Sequence, residues 1–236
     1  MEPIGGKEEL IRRIAVALRG HEGAKEVPRP PTGSAGTDGG AARISRFREL
    51  FEAQGGNFLD GPGLEALLPA LGEALRISGV VALFFPEDDP AARQVAEALV
   101  PFGPFTLVSS AEARQPSPPE TAGVQTAEYA VAETGSIVQT SRGGKTLLPG
   151  LLADVHVALL SPAAFVERME ECLAAFAEDP PRNLSFLSGP SRSADIEQTL
   201  TIGAHGPKKM IAVLLPQENG QASPTTPSPA GGRASR

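Results

Sequence analysis

The segment HVALLSP, residues 156–162, combines two elements whose order decides the fold class. HVALL is a short apolar run without polar alternation, which is typical of a strand covered on both faces. Ser161 and Pro162 then fit the N-cap and the first position of a helix, and the periodicity predicts that this helix spans 162–178. A buried strand that leads directly into a helix is the repeating unit of α/β proteins.

The chain between residues 43 and 216 repeats this alternation. Further apolar runs, each closed by Pro, Ser or Gly, lie at 79–85, 105–110, 183–189 and 210–215. Segments with helical periodicity lie at 43–54, 64–77 and 90–100. We therefore expect an α/β fold with a mostly parallel sheet and flanking helices. The segment EYAVAETGSIVQTS, residues 128–141, breaks the alternation and predicts two strands joined by a hairpin or a sharp bend at residues 133–136.

Both ends of the chain differ in composition from this domain. Residues 7–20 place apolar side chains on one helical stripe, which predicts an amphipathic helix in an N-terminal segment spanning 1–21. Residues 22–42 are rich in Pro and Gly with little apolar bulk, and they predict a flexible linker. Residues 217–236 have the same character and predict a disordered tail, which leaves 43–216 as the folded domain.

The charge and the cysteine content exclude several classes of function. The 236 residues carry a formal net charge of −7, which argues against a nucleic-acid partner because phosphate contacts need a basic face. No apolar run reaches about 18 residues, so membrane insertion is not expected. The charged start MEPIGGKEEL predicts no secretory signal and a cytoplasmic location. Cys172 is the single cysteine, so this chain alone cannot hold an iron–sulfur cluster, and its apolar neighbours predict a small buried side chain.

The stretch SGPSRSADIEQTLTIGAHGP, residues 188–207, contains most of the candidate ligand-binding residues. The pattern of this stretch predicts the end of a strand, a Gly-Pro turn and then a helix capped by Ser191 or Ser193. The free backbone N–H groups of such a helix start suit an anion, and Arg192 lies beside them. The alternative is that the serines and Asp195 only cap the helix and that Glu197 faces water.

A histidine and a basic loop leave further alternatives open. His205 lies in a Gly-rich turn, where it either contacts a ligand or holds the loop through backbone carbonyls. SRGGKT, residues 141–146, lacks the first glycine of a phosphate-binding loop, which excludes a Walker site. Arg142 and Lys145 in this loop either meet an anion or are solvated. The histidines lack a close carboxylate spacing, so no metal site is predicted, and the sequence identifies no cofactor.

Three motifs resemble one known family. AETGSIV (132–138), LLP followed closely by HVALL, and the 188–207 stretch are similar to segments of the LUD-domain proteins typified by lactate utilization protein C. The resemblance implies a Rossmann-like fold similar to that of the NagB/RpiA/CoA-transferase group. It also implies a part in bacterial oxidation of L-lactate to pyruvate, alongside lactate-utilization subunits that contain iron–sulfur clusters. The alternatives are a stand-alone enzyme of the CoA-transferase or 5-formyltetrahydrofolate cyclo-ligase type, and an assembly or regulatory subunit without catalysis.

The resemblance gives weight to one pocket formed by the 133–136 turn, the helix start at 189–197 and the loop at 203–207. We expect this pocket to bind a small anionic or nucleotide-like ligand, and lactate and pyruvate are both carboxylates. The catalytic candidates are Glu133, Asp195 and His205, with Glu133 as a nucleophile by analogy to CoA transferases. The ligand-binding candidates are Thr134, Gly135, Ser136, Gly189, Ser191, Arg192, Ser193, Glu197 and Gly206.

Overall fold

A computed structural model describes residues 37–110, 120–142, 145–194, 200–202 and 206–216 of the chain. The helix predicted within 1–21 and the tail predicted at 217–236 lie outside these residues. The first described helix, α1 (Thr37–Ala53), includes residues 37–42, where the sequence predicts linker. Ala41 and Ala42 favour helix, and the Nε–H of Arg43 donates to the Gly39 carbonyl at 3.1 Å, so the helix extends past the predicted boundary.

Four more helices and twelve strands are described in the part of the chain given above. The helices are α2 (Leu64–Ile77), α3 (Pro90–Leu99), α4 (Leu148–Leu152) and α5 (Met169–Ala175). The strands are β1 (Asn57–Leu59), β2 (Ala82–Phe85), β3 (Thr106–Ser109), β4 (Thr121–Thr126), β5 (Tyr129–Val131), β6 (Ser136–Thr140), β7 (Val155–Leu160), β8 (Phe165–Val166), β9 (Leu184–Leu187), β10 (Arg192–Ala194), β11 (Leu200–Ile202) and β12 (Lys209–Leu214). Among the described helices, none has the length and apolar character needed to span a bilayer.

Six strands form one parallel sheet in the order β1-β12-β7-β4-β2-β3. Strands β7 and β4 lie at its centre, and every residue of β7 is buried, as expected for an apolar run covered on both faces. The register aligns His156 of β7 with Met210 of β12 on one side and with Gly123 of β4 on the other. The predicted α/β fold with a mostly parallel sheet is therefore confirmed.

Helices α2 and α3 cover one face of the parallel sheet. Leu71 of α2 and Leu99 of α3 are fully buried in one apolar cluster with Val124 and Val157 of the central strands. Residues two apart in a strand point to the same face, so Val155, Val157 and Leu159 of β7 all contribute to this cluster. The apolar faces of both helices therefore account for the burial of this side of the sheet.

Helix α1 and a second, four-stranded sheet cover the opposite face. Phe47 of α1 stacks on Phe51 with ring centroids 5.3 Å apart and meets Phe165 edge-on at 5.3 Å, in a cluster with Ala158 and Met210 of the parallel sheet. The second sheet has the strand order β8-β5-β6-β9. Strands β5 and β6 pair antiparallel, which confirms the hairpin predicted within 128–141.

Three elements differ from the sequence-based expectation. The run 183–189 forms a strand, but β9 pairs antiparallel with β6 in the second sheet. The helix predicted over 162–178 is wrong in its first half, because Pro162–Ala164 is a 3-10 turn and Phe165 enters β8. Phe165 is 3% exposed, so its packing and the pairing of β8 with β5 outweigh local helix propensity. Strand β4 is central, although TAGVQT has too little apolar bulk to predict it.

Gly123 in β4 lies directly against the backbone of Pro149 in α4. A Cβ atom at position 123 would meet the Pro149 carbonyl oxygen at 1.7 Å. We expect Gly123→Ala to lower the free energy of unfolding by about 3 kcal/mol or more. The clash is with backbone atoms of Pro149, which cannot rotate out of the way as a flexible side chain can. Urea unfolding followed by circular dichroism measures this change.

Gly63→Ala is the matched control for this substitution. No atom lies within 4 Å of a Cβ added at Gly63, and its φ of 179° is extended backbone. We expect the control to stay within about 0.5 kcal/mol of the original protein. Equal stability of the two variants would contradict the close approach of α4 to β4.

Candidate functional site

The carboxyl edge of the parallel sheet has a topological switch point between β2 and β4. The chain leaves β2 for β3 in one direction along the sheet, and it leaves β4 for β7 and then β12 in the other. In open α/β sheets, ligands bind in the crevice outside the carboxyl ends of such a strand pair. A cleft of about 330 Å³ at this edge is lined by Glu87, Asp88, Ser110 and Thr146.

Asp89 fixes the geometry of this switch point. Its carboxylate is 5% exposed and accepts hydrogen bonds from the Ala92 N–H at 3.0 Å, the Thr126 N–H at 2.7 Å and the Thr126 hydroxyl at 2.8 Å. The first bond caps α3, and the other two hold the end of β4. The buried charge is tolerated because its oxygens are hydrogen-bonded. Asp89 before Pro90 is a sequence pattern that predicts a helix N-cap, whereas no local pattern predicts the hydrogen bonds between Asp89 and Thr126.

Glu133, the predicted nucleophile, holds the start of α5. One carboxylate oxygen accepts from the Met169 N–H at 2.8 Å, and the other lies 4.0 Å from the Arg168 Nε. The Glu133 N–H donates to the Glu167 carbonyl at 3.0 Å. The side chain therefore has a structural role in joining the β5–β6 turn to α5.

The rest of the 133–136 turn packs against the end of α1 and the 188–189 corner. The hydroxyls of Thr134 and Ser136 are 2.7 Å apart, and those of Ser136 and Ser188 are 2.6 Å apart. Gln54 donates from its amide to the Thr134 carbonyl at 2.8 Å. The structure therefore brings the 133–136 turn together with the start of the 189–197 segment.

Two glycines in these segments allow α1 to approach. Gly135 has a φ of +64°, and an added Cβ would lie 2.6 Å from the Phe51 nitrogen. Gly189 has a φ of +114°, and an added Cβ would lie 3.0 Å from the Gln54 carbonyl oxygen. Both positions therefore require glycine for backbone conformation and for space.

The helix predicted to start at Ser191 or Ser193 is wrong. Residues 192–194 form β10, which pairs antiparallel with β11 and aligns Arg192 with Ile202. The β-branched residues of LTI in β11 favour this ladder, and the backbone groups expected to be free at a helix start take part in a hairpin instead. The Ser191 N–H donates to the Pro207 carbonyl at 2.8 Å, which places Ser191 beside Gly206.

Three predicted residues, Asp195, Glu197 and His205, lie outside the described residues. Gly143 and Gly144 of the basic loop lie outside them as well. Of the two cations in that loop, Arg142 donates to the Asp179 carbonyl at 2.9 Å, with its guanidinium 5.2 Å from the centre of the Phe176 ring. Lys145 lies 3.6 Å from a Glu128 oxygen.

A buried polar cluster beneath α4 is absent from the sequence-based candidates. His156 and Gln139 are fully buried, and His156 Nε2 lies 3.0 Å from Gln139 Nε2. Gln125 accepts from the Gly150 N–H at 3.2 Å and donates to the Thr146 carbonyl at 2.9 Å. Among the described residues, neither His156 Nδ1 nor Gln139 Oε1 has a hydrogen-bond partner. The cluster joins β4, β6, β7 and α4, so residues far apart in the sequence build it.

Comparisons with known proteins place this structure in a family. The model of the LUD domain matches residues 94–215, which is more than half of the chain. The chain belongs to the LUD domain family. Proteins named lactate utilization protein C from Halalkalibacterium halodurans and an Exiguobacterium species are 38% and 37% identical to it over 99 residues, and each alignment covers 39% of this chain and 43% of the relative. The resemblance stated from the motifs is therefore confirmed.

A solved structure is also similar to this LUD domain protein. It is the crystal structure of a DUF162 family protein from Deinococcus radiodurans, at 19% sequence identity and a TM-score of 0.49. The similarity covers 75% of this chain and 98% of that one.

Cys172 of the LUD domain is fully buried against Val131, Val138 and Phe176, as the sequence predicts. Burial raises the pKa of its thiol to about 12, so the thiolate that a nucleophile or a metal ligand requires does not form at neutral pH. Among the described residues, no group of three or more His, Cys, Asp or Glu side chains comes together as a metal site.

The burial of His156 predicts a specific pH dependence of stability. Burial lowers the pKa of His156 from 6.5 to about 4, so the folded protein takes up this proton only near pH 4, whereas the unfolded chain takes it up near pH 6.5. Stability that is fully present above pH 6.5 is therefore lost as the pH falls towards 4, by about 3 kcal/mol in total. We expect His156→Gln to lack this loss in urea unfolding at pH 7, 6, 5 and 4.

The comparison of the two pH profiles isolates His156, because every other group titrates in both proteins. The original protein is expected to lose more stability than His156→Gln between pH 6.5 and 4. Parallel profiles over this range would contradict a neutral, buried His156.

Proposed function

We propose that this protein is a lactate utilization protein C-like subunit of a bacterial, cytoplasmic system that oxidises L-lactate to pyruvate. The observation that carries the proposal is the 38% identity over 99 residues with a bacterial protein of that name. The chain aligns with 43% of the length of that relative. We therefore assign the chain to the lactate-oxidising system as a subunit, and we propose that this subunit binds a small ligand.

The electron acceptors are assigned to partner subunits. Oxidation of L-lactate to pyruvate releases two electrons and two protons, which an acceptor must take up. The single cysteine of this chain is buried with a protonated thiol, so the four thiolates of an iron–sulfur cluster cannot come from this chain. Subunits that contain iron–sulfur clusters suit this role.

The proposed pocket combines the 133–136 turn with the 189–197 segment and the loop at 203–207. The linked hydroxyls of Thr134, Ser136 and Ser188 lie at this corner, and hydroxyls can donate to a carboxylate. In this proposal, the positive charge for the same group is assigned to Arg192, which stands in β10. Free N–H groups of a helix start no longer support the proposal, because β10 replaces that helix. Asp195 and His205 remain candidates for proton transfer.

Glu133 supports an alternative, a stand-alone acyl-transferring enzyme in which its carboxylate is the nucleophile. The Glu133 side chain is 31% exposed, and the oxygen facing Arg168 lies at 4.0 Å, a long separation for an ion pair. A carboxylate in such a position can attack an acyl group. The competing explanation is that Glu133 holds α5 through the Met169 N–H.

Growth on L-lactate tests the proposed function. In a bacterial strain that lacks its own lactate utilization protein C, we expect this chain to restore growth on L-lactate as the sole carbon source. Arg192→Gln is expected to abolish the restored growth, because it removes the positive charge for the carboxylate. Growth rate is the measurement.

Arg76→Gln is the matched control for the growth experiment. It removes an arginine whose exposed ion pair with Glu73 lies on α2. This variant is expected to grow like the original, because an exposed ion pair contributes about 0–1 kcal/mol. Failure of the folded, expressed original chain to restore growth would contradict the proposed function.

Two substitutions of Glu133 separate its structural role from a catalytic one. Glu133→Gln keeps an oxygen that can accept from the Met169 N–H and removes the charge, whereas Glu133→Ala removes both. We expect the Gln variant to stay within about 0.5 kcal/mol of the original in urea unfolding and the Ala variant to lose about 1 kcal/mol.

Acyl-transfer assays of the same variants decide between the two interpretations. If Glu133 is the nucleophile, the original chain turns over an acyl-coenzyme A substrate without partners and both variants are inactive. If Glu133 only holds α5, the Gln variant restores growth on L-lactate as well as the original does.

A further inference from the structure

A second cleft shares Thr146 with the switch-point cleft. It has a volume of about 600 Å³ and is lined by residues 141, 145–148, 151 and 182–185. This volume lies within the range of about 300–1,000 Å³ that is usual for small-molecule sites. The cleft, named here the Lys145–Arg182 cleft, contains none of the residues assigned to the proposed lactate pocket.

The charge of this cleft is opposite to that of the chain as a whole. Its lining includes Lys145 and Arg182 and no carboxylate, although the chain carries a formal net charge of −7. Within the described part of the chain, Lys145 pairs with Glu128 at 3.6 Å, and the other oxygen of Glu128 already accepts from the Thr140 N–H at 3.0 Å. Among the described residues, Arg182 has no ion-pair partner. The cleft therefore favours an anion.

One wall of the cleft is apolar. Leu147, Leu148 and Leu151 come from α4 and its approach, and Leu184 comes from the start of β9. Leu148 is 46% exposed, so an apolar group placed against it removes surface from water. A ligand with an apolar body gains from this wall, whereas a small polar ion does not.

Four uncharged polar side chains line the cleft, and two of them are available to orient a ligand. The Ser141 hydroxyl is engaged by the Asn183 N–H at 2.9 Å, and the Thr146 hydroxyl accepts from the Leu148 N–H at 3.3 Å. The Asn183 amide and the Ser185 hydroxyl make no side-chain hydrogen bond to other described residues. Both groups can donate to an anionic head.

We propose that the Lys145–Arg182 cleft binds an amphipathic anion, with a carboxylate or phosphate head at the two cations and an apolar chain along the leucine wall. Each part of the lining has a matching part in such a ligand. L-lactate and pyruvate have no apolar chain to occupy the wall, so this site is separate from the proposed function and does not depend on it.

Calorimetric titration of the full chain tests this site with four probes. Octanoate and octyl phosphate each carry a charged head and an apolar chain, acetate has the head alone, and 1-octanol has the chain alone. We expect one-to-one binding of octanoate or octyl phosphate, and the tighter of the two identifies the head. Acetate or 1-octanol binding as tightly as the amphipathic probes would overturn the proposal.

Substitutions at the cleft separate the contributions of charge and apolar contact. Lys145→Gln and Arg182→Gln are each expected to weaken binding of the tighter probe by about tenfold or more, the factor for one charge-assisted hydrogen bond. Leu148→Ser is expected to weaken it while leaving the weak acetate binding unchanged. Arg46→Gln, an exposed arginine on α1, is the matched control and keeps the original affinity.

Arg182 and Leu148 are exposed and Lys145 is only partly buried. We therefore expect the melting temperatures of these variants to match that of the original protein. Unchanged affinity in both charge variants would overturn the proposal. An equal loss of affinity in Arg46→Gln would overturn it as well, because the attraction would then belong to the whole surface. Failure of growth on L-lactate bears only on the other pocket.

Discussion

The bare backbone of Gly123 against the carbonyl of Pro149 is the contact on which the rest of the site depends. Because position 123 has no side chain, α4 can lie directly on the centre of the parallel sheet. From there the Gly150 N–H reaches Gln125, and Gln125 in turn holds the Thr146 carbonyl. Thr146 lines both clefts, so the close approach of α4 to Gly123 is connected to both through Gln125.

The sequence predicts some strands and not others, and the contact at Gly123 explains one of those that it does not predict. Short apolar runs identify the buried strands β2, β7 and β12 and the partly exposed edge strand β3, and the turn within 128–141 identifies the hairpin of β5 and β6. Strand β4 escapes prediction because Gly123 and Gln125 face α4 and the polar cluster, where apolar side chains would not fit. Phe165 escapes because its burial against Phe47 depends on α1, which lies more than a hundred residues earlier in the chain.

The candidate site is predictable only in part, for a related reason. Motifs identify residues 133–136 and 188–191, and the structure brings these segments together at the end of α1. The helix expected near Ser191 does not form, because a cap signal cannot compete with the ladder that Arg192 and its neighbours make with β11. The cluster of Gln125, Gln139 and His156 has no local signal, since each residue stands on a different strand.

Gly135 and Gly189 lie within two of the motifs by which this chain resembles the LUD-domain proteins. Both are left without side chains so that Phe51 and Gln54 can sit against them, and this steric demand holds whatever molecule the protein recognises. These two glycines therefore mark the place where the end of α1 packs against the 133–136 turn and the 188–189 corner. In this chain, the two glycines maintain the position of α1 against both corners.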